Sequence, residues 1–225
     1  MTVPPHTFLQ LFKLAVPLPF VVGAAVLGAV RYWHLPASLR RLAWLAWFEL
    51  PLELWGISLS FLRRNNLFIM PIYTVGELAL LALLYGAVLR SAAFSRAVPW
   101  VVGGFAGYAL FDSLAAADLS AWFRPGQQVV QSLLILSMVG LYCHRLLQAP
   151  PTQRLGREPL FWVSGGLALY FLGYLQIALF SNYMLRHYSL AFNRHIWEVH
   201  LGLAVVLHGC YCWALGLRPQ RAAAG

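Results

Sequence analysis

The chain has 225 residues, 60% of them hydrophobic and only 10% charged, with a formal charge of +9 and a mean hydropathy of +0.68. That balance lies outside the range of soluble globular domains and points to a chain embedded in a bilayer as one helical bundle. The positive charge does not indicate nucleic acid, because the basic residues stand singly or in pairs at the ends of apolar runs, with no stripe or tail.

Seven apolar windows follow one another, at about 9–30, 42–62, 67–89, 97–117, 127–147, 160–183 and 196–217, each closed by arginine, proline or a short polar turn. Lys13 followed by the apolar run to Val30 resembles the start of a signal peptide, and we take it as the first membrane helix. The second window carries Glu49, Glu53, Gly56 and Ser60 on one stripe, with Pro51 expected to leave the Trp47 carbonyl without its helical partner. In the third, Asn66, Tyr73 and Glu77 share a face, and Pro71 is expected to interrupt the ladder near Leu67.

The fifth window opens with Gln127, Gln128 and Gln131, and the sixth carries Tyr170, Tyr174, Gln176 and Asn182. The seventh places Trp197, His200, Ala204, His208 and Tyr211 on one arc, with Glu198 roughly opposite His200. The connections are short, so an all-α up-down bundle of seven membrane helices is expected. The basic residues Arg31, Arg40, Arg41, Arg90, Arg96, Arg145, Arg154, Arg157, Arg218 and Arg221 fall on one side; Lys13, Arg63, Arg64, Arg124, Arg186 and Arg194 fall on the other. The richer side is expected in the cytoplasm, which sets the amino terminus outside and the carboxyl terminus inside.

Five of the seven acids, Glu49, Glu53, Glu77, Asp112 and Glu198, fall within the apolar windows; Asp118 and Glu158 do not. Acids at membrane depth face the bundle interior and often mark a site. The expected ligand-binding set is Glu49, Glu53, Tyr73, Glu77, Gln128, Gln131, Tyr174, Glu198 and His200, around a polar pocket open to the outer side. The competing reading makes the same carboxyls, once protonated, hydrogen-bond donors between helices.

Several chemistries are excluded or disfavoured. A covalent retinal needs a lysine in the last helix, and the sole lysine is Lys13. Glu-x-x-His pairs, H-E-x-x-H, C-x-x-C, G-x-S-x-G and nucleotide-binding loops are absent, and Cys143, Cys210 and Cys212 make no disulfide framework. No metal or cofactor is therefore expected. Three functions stay open: a receptor or sensor for a small molecule with a cytoplasmic signalling partner, a proton-coupled transporter, and an intramembrane enzyme acting on a lipid or isoprenoid.

The stretches "RRNNLFIMPIYTVGE" at 63–77, "FWVSGGLALYFLGYLQIALFSNY" at 161–183 and the later "IWEVH" resemble a group of uncharacterised bacterial seven-helix membrane proteins. Asn66, Tyr73, Thr74 and Glu77 carry the likeness. It implies a multi-pass protein of the bacterial inner membrane, in contact with membrane lipids, and it specifies no reaction.

Overall fold

The computed structural model describes residues 16–62, 64–115, 125–148 and 155–217. These form seven α-helices, α1 Leu18–Arg31, α2 Ala37–Phe61, α3 Ile69–Leu89, α4 Ala92–Ala115, α5 Pro125–Leu147, α6 Pro159–His187 and α7 Leu190–Gly216, with short 3-10 turns at Tyr32–His34 and Leu155–Arg157. Lys13, Arg63, Asp118, Arg124, Arg154, Arg218 and Arg221 lie outside the described residues, as does the side chain of Asn182.

Local chemistry sets the helix starts. Proline stands in the first turns of α1 and α6, where its fixed φ suits a helix and its missing N–H has no helical partner to lose. Ser189 caps α7 by accepting the Phe192 amide at 3.2 Å. Pro71 occupies the third position of α3, so it helps to begin that helix and does not interrupt it, contrary to the expectation from sequence. Pro51 lies inside α2, yet the helix continues unbroken to Phe61, with the proline ring on its exposed side.

Helices α3, α4, α5, the Pro159–Ser181 part of α6 and the Ala191–Gly216 part of α7 are long and apolar enough to cross a membrane. The described part of α1 has 14 residues, about 21 Å at 1.5 Å per residue. Helix α2 has 25 residues, but Arg40, Arg41, Glu49 and Glu53 lower its hydropathy. Exposed aromatic residues stand at both ends of the bundle, Trp33, Trp162 and Trp213 at one and Phe61, Tyr183, Tyr188 and Phe192 at the other, while Trp44, Trp47 and Trp100 lie farther in. Such paired girdles suit the two membrane–water interfaces.

Six helices pack in a closed ring, in the order α1, α2, α3, α5, α6, α7 and back to α1. Helix α4 stands outside the ring against α3 and, more lightly, α5. Close approaches at small residues hold the ring: an added Cβ on Gly28 would lie 2.8 Å from Ala43 Cβ, and one on Gly166 would lie 2.9 Å from Cys210 Cβ. The core of Leu39, Leu42, Leu45, Leu78, Leu81, Leu84 and Ile135 fills one half of the interior.

Arginines tie that half together. Arg31 donates to the Leu215 carbonyl, Arg41 to Leu83, and Arg145 to Val88 and Leu89. The Leu215, Val88 and Leu89 carbonyls lie in the last turn of their helices, where backbone acceptors lack partners and cations are favoured, and Leu83 lies six residues before the end of α3. The ends of α1, α3, α5 and α7 and the beginning of α2 therefore share one end of the bundle, and the remaining half is left for polar residues.

Candidate functional site

That second half encloses a cavity of about 380 Å³. All six ring helices reach it, α1 only through Pro17 just ahead of its first turn, and α4 contributes nothing. Helical periodicity explains the supply of side chains. Glu53, Gly56, Ile57 and Ser60 come from one stripe of α2, and Met70, Tyr73, Thr74 and Glu77 from one stripe of α3. Gln128 and Gln131 enter from α5, Tyr170, Phe171 and Tyr174 from α6, and Trp197, His200, Leu201, Ala204 and His208 from α7.

The cavity runs from the half-exposed Asn66 and the exposed Trp197 inward to the buried Glu77, Gln131 and His208. At its mouth Asn66 Nδ2 donates to the Gly56 carbonyl and to Ser60 Oγ, both at 3.1 Å, which joins the end of α2 to the approach of α3. Deeper, Gln131 Nε2 donates to Glu77 Oε2 at 2.7 Å and reaches the Thr74 carbonyl at 3.3 Å. This pair sets the orientation of the Glu77 carboxyl. On the α6 wall Tyr170 and Tyr174 stack with ring centres 5.7 Å apart, and Tyr170 Oη lies 3.1 Å from His200 Nε2. His200 also meets the Tyr174 ring at 4.6 Å and Trp197 at 5.6 Å.

Of the nine residues expected from sequence, Glu53, Tyr73, Glu77, Gln128, Gln131, Tyr174 and His200 line this cavity, and Glu49 and Glu198 do not. Glu49 sits one helical turn deeper than Glu53 and is wholly buried, with Oε2 3.3 Å from His208 Nε2. That is an ion-pair distance, although the ring N–H is not aligned for a good hydrogen bond, and neither Glu49 oxygen has a hydrogen-bond partner. Glu198 lies on the other side of α7, where its Oε2 is 3.1 Å from His195 Nδ1. A residue two positions from His200 on a helix turns about 200° away from it, so Glu198 cannot share its cavity.

Trp47 is likewise absent from the lining: its indole donates to the Ala25 carbonyl at 3.0 Å across the α1–α2 contact. The acceptor that Pro51 was expected to provide does not face the cavity. Gln127 turns outward from the ring to donate to Asp112 Oδ2 at 2.7 Å, and so fastens α4 to α5.

His208 is the residue that sequence reasoning undervalued. It stands two turns from His200 on the same face of α7, lines the inner end of the cavity and is nearly inaccessible, with Nδ1 on the Ala204 carbonyl at 2.8 Å. The shared arc of Trp197, His200, Ala204 and His208 was the signal available; its pairing with Glu49 depends on how α2 and α7 cross.

Glu53, Glu77 and His208 face one cavity, and Glu49 stands 3.3 Å from His208 just beyond it. Among the described residues no lysine or arginine lines the cavity, and no group of three or more His, Cys, Asp or Glu side chains is arranged to hold a metal ion. Three carboxyl groups, Glu49, Glu53 and Glu77, therefore face only the imidazoles of His200 and His208, and charge balance must come from protons or from a bound cation. Comparison with family models, with curated proteins and with solved structures returns no match to this chain.

Proposed function

We propose that the protein is a receptor-like or sensor-like membrane protein that binds a small molecule in the six-helix cavity. One observation carries this reading: Glu53, Glu77, Gln128, Gln131 and His200, from four helices, face one space of about 380 Å³, within the roughly 300–1,000 Å³ typical of small-molecule sites. Interhelical hydrogen bonding alone needs no such space. In this reading all seven helices cross the membrane, with the amino terminus outside and the carboxyl terminus in the cytoplasm. The arginine-rich end, with Arg31, Arg40, Arg41, Arg90, Arg96, Arg145 and Arg157 among the described residues, supports that orientation. The cavity then lies in the outer half, and the cytoplasmic turns are available to a signalling partner. The resemblance at 63–77 supports a bacterial inner membrane.

The test is a ligand screen by thermal melting of the purified protein in neutral detergent, run beside Gly56→Leu. Gly56 lines the cavity, and a Cβ there comes no closer than 3.7 Å to its nearest neighbour, Asn66 Nδ2. The Cβ is accommodated without a clash, and the rest of the leucine side chain takes up cavity volume. Compounds that stabilise the native protein should fail on Gly56→Leu; stabilisation that survives the substitution would place binding elsewhere.

A second reading, proton-coupled transport, draws on the Glu49–His208 pair. It stands beside the inner end of the cavity, displaced toward the arginine-rich end, and so extends a line of ionisable groups across the bundle. Flux of a cavity ligand into proteoliposomes under a pH gradient would favour it. Saturable binding without flux would favour the receptor.

A further inference from the structure

We propose that the ligand of this cavity is an organic cation, with an ammonium group held by Glu53 and Glu77 and an apolar body against Tyr73, Tyr170, Tyr174 and Trp197. This rests on the ligand-binding reading above and deepens it.

The charge of the walls is the first reason. Glu53 and Glu77 face the same cavity, and Glu49 lies one helical turn below Glu53 against His208. Among the described residues the only basic side chains beside them are His208, 3.3 Å from Glu49, and His200, which lies against Tyr170 Oη at 3.1 Å. An anionic ligand would meet uncompensated carboxylates, whereas a cation supplies the charge they lack.

The remaining walls decide what sort of cation fits. A bare metal ion calls for several ligands at fixed distance, and no such group is arranged among the described residues. The aromatic faces are suited instead to an ammonium whose charge is spread over C–H groups. The Tyr170–Tyr174 stack, with Trp197 held against His200, builds a continuous aromatic surface along the α6 and α7 walls of the cavity. His200 is occupied with Tyr170 Oη at 3.1 Å, which fixes that surface in place. Gln131 does the same for Glu77 at 2.7 Å. Both halves of the site are therefore oriented in advance, one for charge and one for an apolar body.

The experiment measures melting temperature in neutral detergent with a graded set of ammonium salts from methylammonium to benzyltrimethylammonium. Two benzyl controls resemble the largest of these in shape: neopentylbenzene, its uncharged carbon isostere, and phenylmethanesulfonate, an anion. Stabilisation should rise with ammonium size and be lacking with both controls. In Glu53→Gln and in Glu77→Gln the apparent affinity for benzyltrimethylammonium should fall on the order of tenfold or more. Glu198→Gln, on the far side of α7, should bind as the native protein does. Equal stabilisation by neopentylbenzene would overturn the cation and leave the binding reading intact. Failure of every ammonium salt on the native protein would also overturn it, and the Gly56→Leu comparison then decides the binding reading separately. The native-protein series keeps the question answerable if a glutamine variant does not fold.

Discussion

Glu49 and His208, from helices that meet at few other points, approach to 3.3 Å where almost no surface of either reaches the outside. A polar pair at such depth contributes little net stability when intact, because both groups have given up their water, but its loss is costly. His208→Leu leaves the carboxyl of Glu49 facing apolar surroundings and should cost about 2–4 kcal/mol. The double replacement Glu49→Leu with His208→Leu should recover most of that loss. Chemical unfolding in mixed micelles measures both, and a double variant less stable than the single one would refute the pairing.

Glycines at helix crossings give a graded test of the packing. A Cβ on Gly76 would fall 2.1 Å from Phe48 Cζ, with two more ring atoms within 2.8 Å, so a rigid ring must swing aside. A Cβ on Gly173 meets Leu203 Cδ1 at 2.4 Å, the movable end of an aliphatic chain. Gly76→Ala should therefore cost about 1–3 kcal/mol, and Gly173→Ala clearly less. Adding Phe48→Leu should relieve the first and leave the second unchanged in the same unfolding assay.

Tyr85 Oη and Ser164 Oγ lie 2.8 Å apart, both buried, and join α3 to α6 in the apolar half of the ring. Neither lines the cavity. Ser164→Ala strands the phenol and should lower stability by about 1–3 kcal/mol. Ligand affinity should stay at the native value. A change in affinity would mean that the two halves of the ring are not energetically separate.

Topology can be read by labelling. In a protein with Cys143, Cys210 and Cys212 replaced by alanine, single cysteines at the exposed positions Asn65 and Ala93 sit at opposite ends of α3. A membrane-impermeant maleimide applied to intact spheroplasts should modify Asn65→Cys and spare Ala93→Cys until the membrane is broken. The reverse pattern would invert the bundle and put the cavity on the cytoplasmic side.

The helices were legible because burial in hydrocarbon demands long apolar runs, and α3 and α5 fall within two residues of their predicted windows. The starts of α2 and α7 were predicted five or six residues late, at 42 and 196. Arg40, Arg41, Arg194 and His195 close the apolar signal, whereas the backbone keeps its helical hydrogen bonds beyond the oily slab. Face periodicity grouped Glu53, Gly56 and Ser60 with Tyr73 and Glu77, since residues one turn apart share a stripe whatever surrounds them. It could not separate Glu49 from Glu53, which differ by one turn of depth rather than by direction. Nor could it detect that α4 is left out of the ring: Trp100, Leu110, Phe111 and Leu114 are as apolar as core residues, and against lipid tails apolarity does not distinguish inside from outside.

The fourth helix has a wider consequence. Since the chamber is walled without it, lineages descended from such a chain are free to rewrite that segment to suit bilayers of other thickness or new neighbours in the membrane. The contents of the chamber would carry over unaltered, so inherited chemistry and changing surroundings are assigned to different parts of one polypeptide.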